Sequence, residues 1–171
     1  MATRADDAGA VGGGGKGQRA MEEWRLLGRA WRSHEELREL LRVLRRLPDA
    51  LTDPATLRRE GPKLRDFLQN ALPAHFQEEE DRAFQQALER APAARRSGVS
   101  RAVSEAQREH VHMAAQSKAI LDALDGLPAG PRPVDLEKLE SLVSGLCDAL
   151  ARHADKEDRD LIPYVDLPEG C

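Results

Sequence analysis

Aromatic residues are scarce in this chain, 4% of 171 residues, while Ala, Leu, Arg and Glu are abundant. That balance disfavours β-sheet architectures and predicts an all-α fold. Cysteine is nearly absent: the two present are Cys147, inside a helical pattern, and Cys171, the last residue. Two such cysteines make no disulfide framework, so both are read as free thiols, Cys171 the more exposed. An excess of one charge is also missing, because 26 basic and 30 acidic residues are well interleaved and leave a net charge of −4. No broad field draws the protein to nucleic acid or to an anionic membrane, and local pairs such as Arg45-Arg46 and Arg95-Arg96 are expected in solvent. Apolar runs of membrane-spanning length are absent, as is the apolar centre of a secretory signal, which makes the cytoplasm the expected location.

What the chain does contain is helical periodicity. Its length suits one domain with a sizeable core. Residues 1–20, with Gly12 to Gly15 in a row, cannot bury enough apolar surface to offset their ordering entropy and are expected to be a disordered tail. From Met21 to Leu47 the residues Trp24, Leu27, Trp31, Leu37, Leu41 and Leu44 recur at helical spacing, and Pro48 closes the pattern. Asp53-Pro54 then reads as a cap and first turn. Gly61-Pro62 and Pro73 interrupt the next stretch, predicting a short helix and then a longer one over 62–90 that bends near Pro73. Ala91 to Gly98 reads as a loop. A third helix is expected over Val99–Leu127, with Val103, Ala106, His110, Met113, Ala114, Ser117, Leu121 and Leu124 on one stripe. The fourth runs over Val134–Ile162, with Leu139, Leu142, Val143, Leu146, Leu150, His153, Glu157 and Leu161 on one face. Four long helices with short connections imply an up-down-up-down four-helix bundle over 21–165, followed by a tail at 166–171.

The stretch His153-Ala154-Asp155-Lys156-Glu157 gives the bundle a chemical meaning. Residues four apart share one helix face, so this imidazole and carboxylate can reach one point in the core. His75 to Glu79 repeats the spacing, and two such claws suggest two metals. Either alone is weak, since acids are common here. The stronger fact is that every helix carries a histidine on its apolar stripe: His34, His75, His110 and His153. A buried ring without a partner costs about 1–3 kcal/mol, and one such ring is usually just a satisfied core histidine. Four of them with two carboxylates are better explained by a common partner. A rise of about 1.5 Å per residue brings all of them within roughly two turns of one level.

The order of one histidine, then His-x-x-x-Glu, then one histidine, then His-x-x-x-Glu, each on its own helix, resembles the hemerythrin-like (HHE cation-binding) family over about residues 22–163. The resemblance implies two non-haem iron ions, with His34, His75, His110 and His153 as terminal ligands. It implies that Glu79 and Glu157 bridge them, together with an oxo or hydroxo group. Mixed imidazole and carboxylate donors suit iron. Oxygen-carrying members have a further histidine where this chain has Ala114, and an aspartate bridge at the position of Asp158. Glu157 is nearer the His153 face than Asp158, so Glu157 is preferred and Asp158 held in reserve.

Other arrangements fare worse. Ferritin-like di-iron bundles need Glu-x-x-His on two helices, and the one instance here, Glu109 and His112, points away from the stripe. His112 is expected in solvent and Cys147 to pack, while Glu78 and Glu80 are expected to solvate their helix, though a carboxylate shift could recruit one of them. Trp31 reads first as plain core, though one turn from His34 it could shield an open iron position. Counting ligands against about twelve positions on two six-coordinate irons leaves about two open. The resulting expectation is a di-iron protein that reacts with or senses a small ligand, namely oxygen, peroxide or nitric oxide, with an oxidant-consuming activity in view. Reversible oxygen carriage, iron storage and a metal-free helical scaffold are the alternatives, and the oligomeric state is open.

Overall fold

The computed structural model of the protein describes residues 34–50, 53–128 and 131–165. Among these residues every regular element is helical. The N-terminal tail with Trp24 and Trp31, the C-terminal tail and Cys171 lie outside the described residues.

Helix α1 (His34–Ala50) buries Leu37, Leu40, Leu41, Val43, Leu44 and Leu47, the stripe that its apolar spacing requires. It continues through Pro48 instead of ending there, since a proline late in a helix removes one N–H without breaking the turns before it. Helix α2 (Pro54–Asp66) begins as expected: the Asp53 carboxylate accepts from the Thr56 N–H and hydroxyl, both at 2.8 Å.

The expected break at Gly61-Pro62 does not occur, because α2 passes through Pro62. The adjustment comes later, at a wide π turn over Phe67–Ala71 in which the Leu72 N–H donates to the Phe67 carbonyl. Pro73 then falls at the start of α3 (Leu72–Glu78), directly after the widened turn, and the helical run continues through it. A second π turn, Glu79–Ala83, is closed by the Phe84 N–H on the Glu79 carbonyl and leads into α4 (Phe84–Arg90). Residues 54–90 are therefore one continuous helical run with two widened turns. Such turns occur often where a helix carries function.

The loop after Ala91 is shorter than expected, as α5 (Arg96–Asp125) takes in Ser97 and Gly98. Helix α6 (Pro133–Asp160) starts with Pro133 in its first turn and the Arg132 N–H on the Asp135 carboxylate at 2.7 Å. A single turn, Ile162–Tyr164, follows.

The buried side chains form two apolar clusters. The larger draws on all four helical runs, with Leu44, Phe67, Leu72, Met113, Ile120, Leu139, Leu146 and Leu150 among its members. The smaller gathers Phe84, Ala87, Val99, Val103, Ala106 and Leu161. Phe76 belongs to the first and Phe84 to the second, and the ring of His110 lies between them, 4.1 Å from Phe76 and 5.6 Å from Phe84 and nearly parallel to both. The polar residues that the sequence marks out are thus held between two apolar clusters.

Candidate metal centre

Helical spacing alone brings His75 and Glu79 together, with Nε2 and Oε1 2.7 Å apart. It does the same for His153 and Glu157, at 3.4 Å. Packing of the four runs supplies the rest. His34 of α1 points Nε2 to within 3.2 Å of Glu157 Oε2 and 3.9 Å of Glu79 Oε1. His110 of α5 brings Nε2 to 3.2 Å from Glu79 Oε2 and 3.1 Å from His153 Nε2. All six expected residues converge.

Their donors divide into two groups. One is His34, His75 and Glu79; the other is Glu79, His110, His153 and Glu157; within each, one ligand atom per residue lies within 4.8 Å of the others. Glu79 belongs to both, turning Oε1 toward His34 and His75 and Oε2 toward His110 and His153. Glu157 is split in the same way, with Oε2 toward His34 and Oε1 toward His153. Two carboxylates therefore stand between two pairs of imidazoles.

Two observations test whether a metal fits. Metal–ligand bonds of about 2.1 Å put neighbouring donors of one ion about 3 Å apart, which is the scale of these contacts. Glu79 Oε2 and Glu157 Oε1 are also buried without any hydrogen-bond partner. An ionised oxygen so placed costs several kcal/mol, roughly, unless a cation meets it. The residues fit a metal.

A further shell of acids holds the outer nitrogens. His34 Nδ1 meets Asp158 at 2.6 Å, His110 Nδ1 meets Glu80 at 2.8 Å, and His153 Nδ1 meets Glu109 at 3.0 Å. A carboxylate on Nδ1 fixes the ring and leaves Nε2 as the free donor. Asp158 and Glu109 are anchored in turn, by Arg38 at 2.7 Å and by Lys156.

This shell corrects three expectations. Glu80 does more than solvate its helix, because the π turn that starts at Glu79 spreads successive side chains over a smaller angle and lets both neighbours face inward. Glu109 does not point away; it is partly buried against His153. Asp158 serves His34 as an outer partner. The signal available was chemical: a ligand imidazole needs a partner on its other nitrogen, so acids flanking the stripe were the place to look. A fourth correction concerns Ala114, which is exposed on α5 instead of lying on the buried stripe. His112 is exposed as expected, and Cys147 is a buried free thiol whose burial pushes it up to about 12.

Electrostatics follow from this crowding. Burial works against ionised Glu79, but His110, His153, His34 and His75 outweigh it and hold the carboxyl well below its usual range. Burial pushes Glu157 up, and the charge of Glu79 beside it adds to the shift. For His34 burial is opposed by Glu157, Glu79 and Asp158, which raise it to about 10. His153 is raised likewise, against its burial, by Glu79, Glu157 and Glu109.

The model of the Hemerythrin HHE cation binding domain matches residues 27–165 of the chain. No curated protein and no solved structure matches it.

Proposed function

The chain belongs to the hemerythrin HHE cation-binding family, and on that premise we propose that it holds two non-haem irons and turns them on a small oxidant, namely oxygen, peroxide or nitric oxide. The observation that carries this reading is the division of Glu79, one oxygen to each pair of histidines. His34 and His75 would hold one iron, His110 and His153 the other, with Glu79 and Glu157 bridging. Four histidines and two carboxylates would hold the irons through fewer donors than two such ions accept, which would leave room for a small exogenous ligand. When bound, two adjacent irons supply electrons to a small oxidant in pairs.

The chain's own part is to place and protect. Asp158, Glu80 and Glu109 keep three imidazoles in the tautomer that offers Nε2. Phe76 and Phe84, flat against His110, keep water from one side of the pair. Reaction is favoured over carriage because no fifth imidazole completes the set: the chain has 5 histidines, and the remaining one, His112, is exposed. We further read the four helical runs as an up-down-up-down bundle, since they share one core and are joined by short connections. The cytoplasm is the compartment proposed, and the free thiol of Cys147 suits its reducing conditions.

The test is to mix the reduced, iron-loaded protein with air or peroxide in a stopped-flow instrument and an oxygen electrode. Net consumption of the oxidant supports the reading. Oxygen taken up and returned unchanged under vacuum would make the protein a carrier, and no response at all would leave storage or a scaffold.

A further inference from the structure

Between α5 and α6 a narrow cleft, with room for about one water molecule (about 10 Å³), has the buried His153 and Glu157 among its lining residues. Glu105, Glu109 and Asp160 line it, with Lys156 the one lysine or arginine and His153 the one imidazole among its lining residues. Its inner end is the most telling feature, because Glu157 is 3% exposed and its Oε1 has no hydrogen-bond partner. A buried, unpartnered carboxylate oxygen behind an acidic mouth calls for a cation.

We propose that this cleft is the path by which a divalent metal ion reaches the centre, with Glu105 and Asp160 drawing it in and Lys156 as a displaceable gate. The inference rests on the metal-centre reading above. Glu105 makes no hydrogen bond or ion pair among the described residues, whereas Asp160 is held by Arg159 at 2.7 Å. Glu105 is thus the acid free to take an incoming ion first. Lys156 bridges Glu109, and its side chain is 45% exposed. Its ammonium occupies the place on Glu109 that a passing cation would take, and its flexible stem lets it swing into solvent. An acid-lined cleft with apolar walls focuses the field and speeds capture of a cation. A neutral oxidant would gain nothing from those charges.

The experiment follows cobalt(II) binding to the metal-free, full-length chain by stopped-flow absorbance, and its removal from the loaded chain by a chelator. Circular dichroism confirms that each variant is folded, and final metal content is measured alongside. Removing both mouth acids, with Glu105→Gln and Asp160→Asn together, is expected to slow loading about tenfold at low salt and to flatten its dependence on ionic strength. Lys156→Met is expected to speed loading. Ala102→Phe, at the lip of the cleft, is expected to slow loading and removal alike, while Ala114→Phe, exposed on the same helix, leaves both unchanged. Final metal content stays at the parent value throughout. Unchanged rates at normal metal content would overturn the path and leave the centre standing. A parent chain that binds no metal would overturn both.

Discussion

Replacing Glu79 by glutamine tests the bridge with almost no change in shape. The carboxylate lies 2.7–3.9 Å from the Nε2 atoms of all four histidines, so Glu79→Gln acts on both pockets at once. Loss of an outer partner of a metal ligand typically lowers affinity about 10–100-fold, and here a direct donor to each ion is lost. Affinity should therefore fall at least about 100-fold, or about 3 kcal/mol at 1.4 kcal/mol per tenfold, and bound metal should drop from near two ions per chain to one or none. The metal-free chain should suffer as well. Its Glu79 is held well below the usual carboxylate range and raises His34 and His153 in turn, and removing one member of such a buried set costs about 3–5 kcal/mol. Elemental analysis after gel filtration reads the first effect and urea denaturation of the metal-free protein the second. Two ions held by Glu79→Gln at parental affinity would refute the bridge. A stability loss with metal binding intact would reduce Glu79 to a structural charge.

Glu109→Gln removes the charge behind His153 Nδ1 without touching a metal-facing atom, so affinity should fall about 10–100-fold while saturating metal still fills both places; an equilibrium dialysis curve distinguishes the two quantities. His110→Ala should empty at least one place and His112→Ala none, and the reverse result would mean that α5 is turned about its axis. The raised His34 sets a pH dependence in the metal-free chain. The protonated ring stabilises the fold fully below its ordinary value of 6.5, and that contribution is lost as pH rises through about 10. Denaturation midpoints should therefore decline over that window. Metal addition at neutral pH should release protons to an indicator dye and bind more tightly as pH is raised, whereas pH-independent binding would show that His34 is not a ligand.

Much of the centre was legible because its inward residues obey helical phase. His34, His75, His110 and His153 sit where apolar residues belong, and Glu79 and Glu157 follow their histidines by four, so spacing alone put all six on core faces. The misses have a different origin. A π turn depends on an N–H reaching a carbonyl five residues back, as Phe84 does to Glu79, and the spacing of apolar residues is nearly blind to it. That hid the inward turn of Glu80, whereas the break placed at Gly61-Pro62 came from reading the Gly-Pro pair as a helix breaker, and the helix passes through Pro62. Glu109 and Asp158 act across helices, 44 and 124 residues from their partners, a relation that one helix's pattern does not contain. Ala114 was misplaced because an alanine is neutral between core and surface, while Met113 beside it is buried at 1% and fixes which side of α5 faces inward.

The account stands on two metal ions shared by Glu79 and Glu157. The most direct measurement is the iron content of the isolated full-length protein, taken with its optical spectrum before and after reduction and compared with His110→Ala and His75→Ala. The expected result is close to two irons per chain, a spectrum that bleaches on reduction, and loss of iron in each variant, since one comes from each pair of histidines. A chain with no metal, with a single zinc, or with its full iron retained in both variants would contradict it.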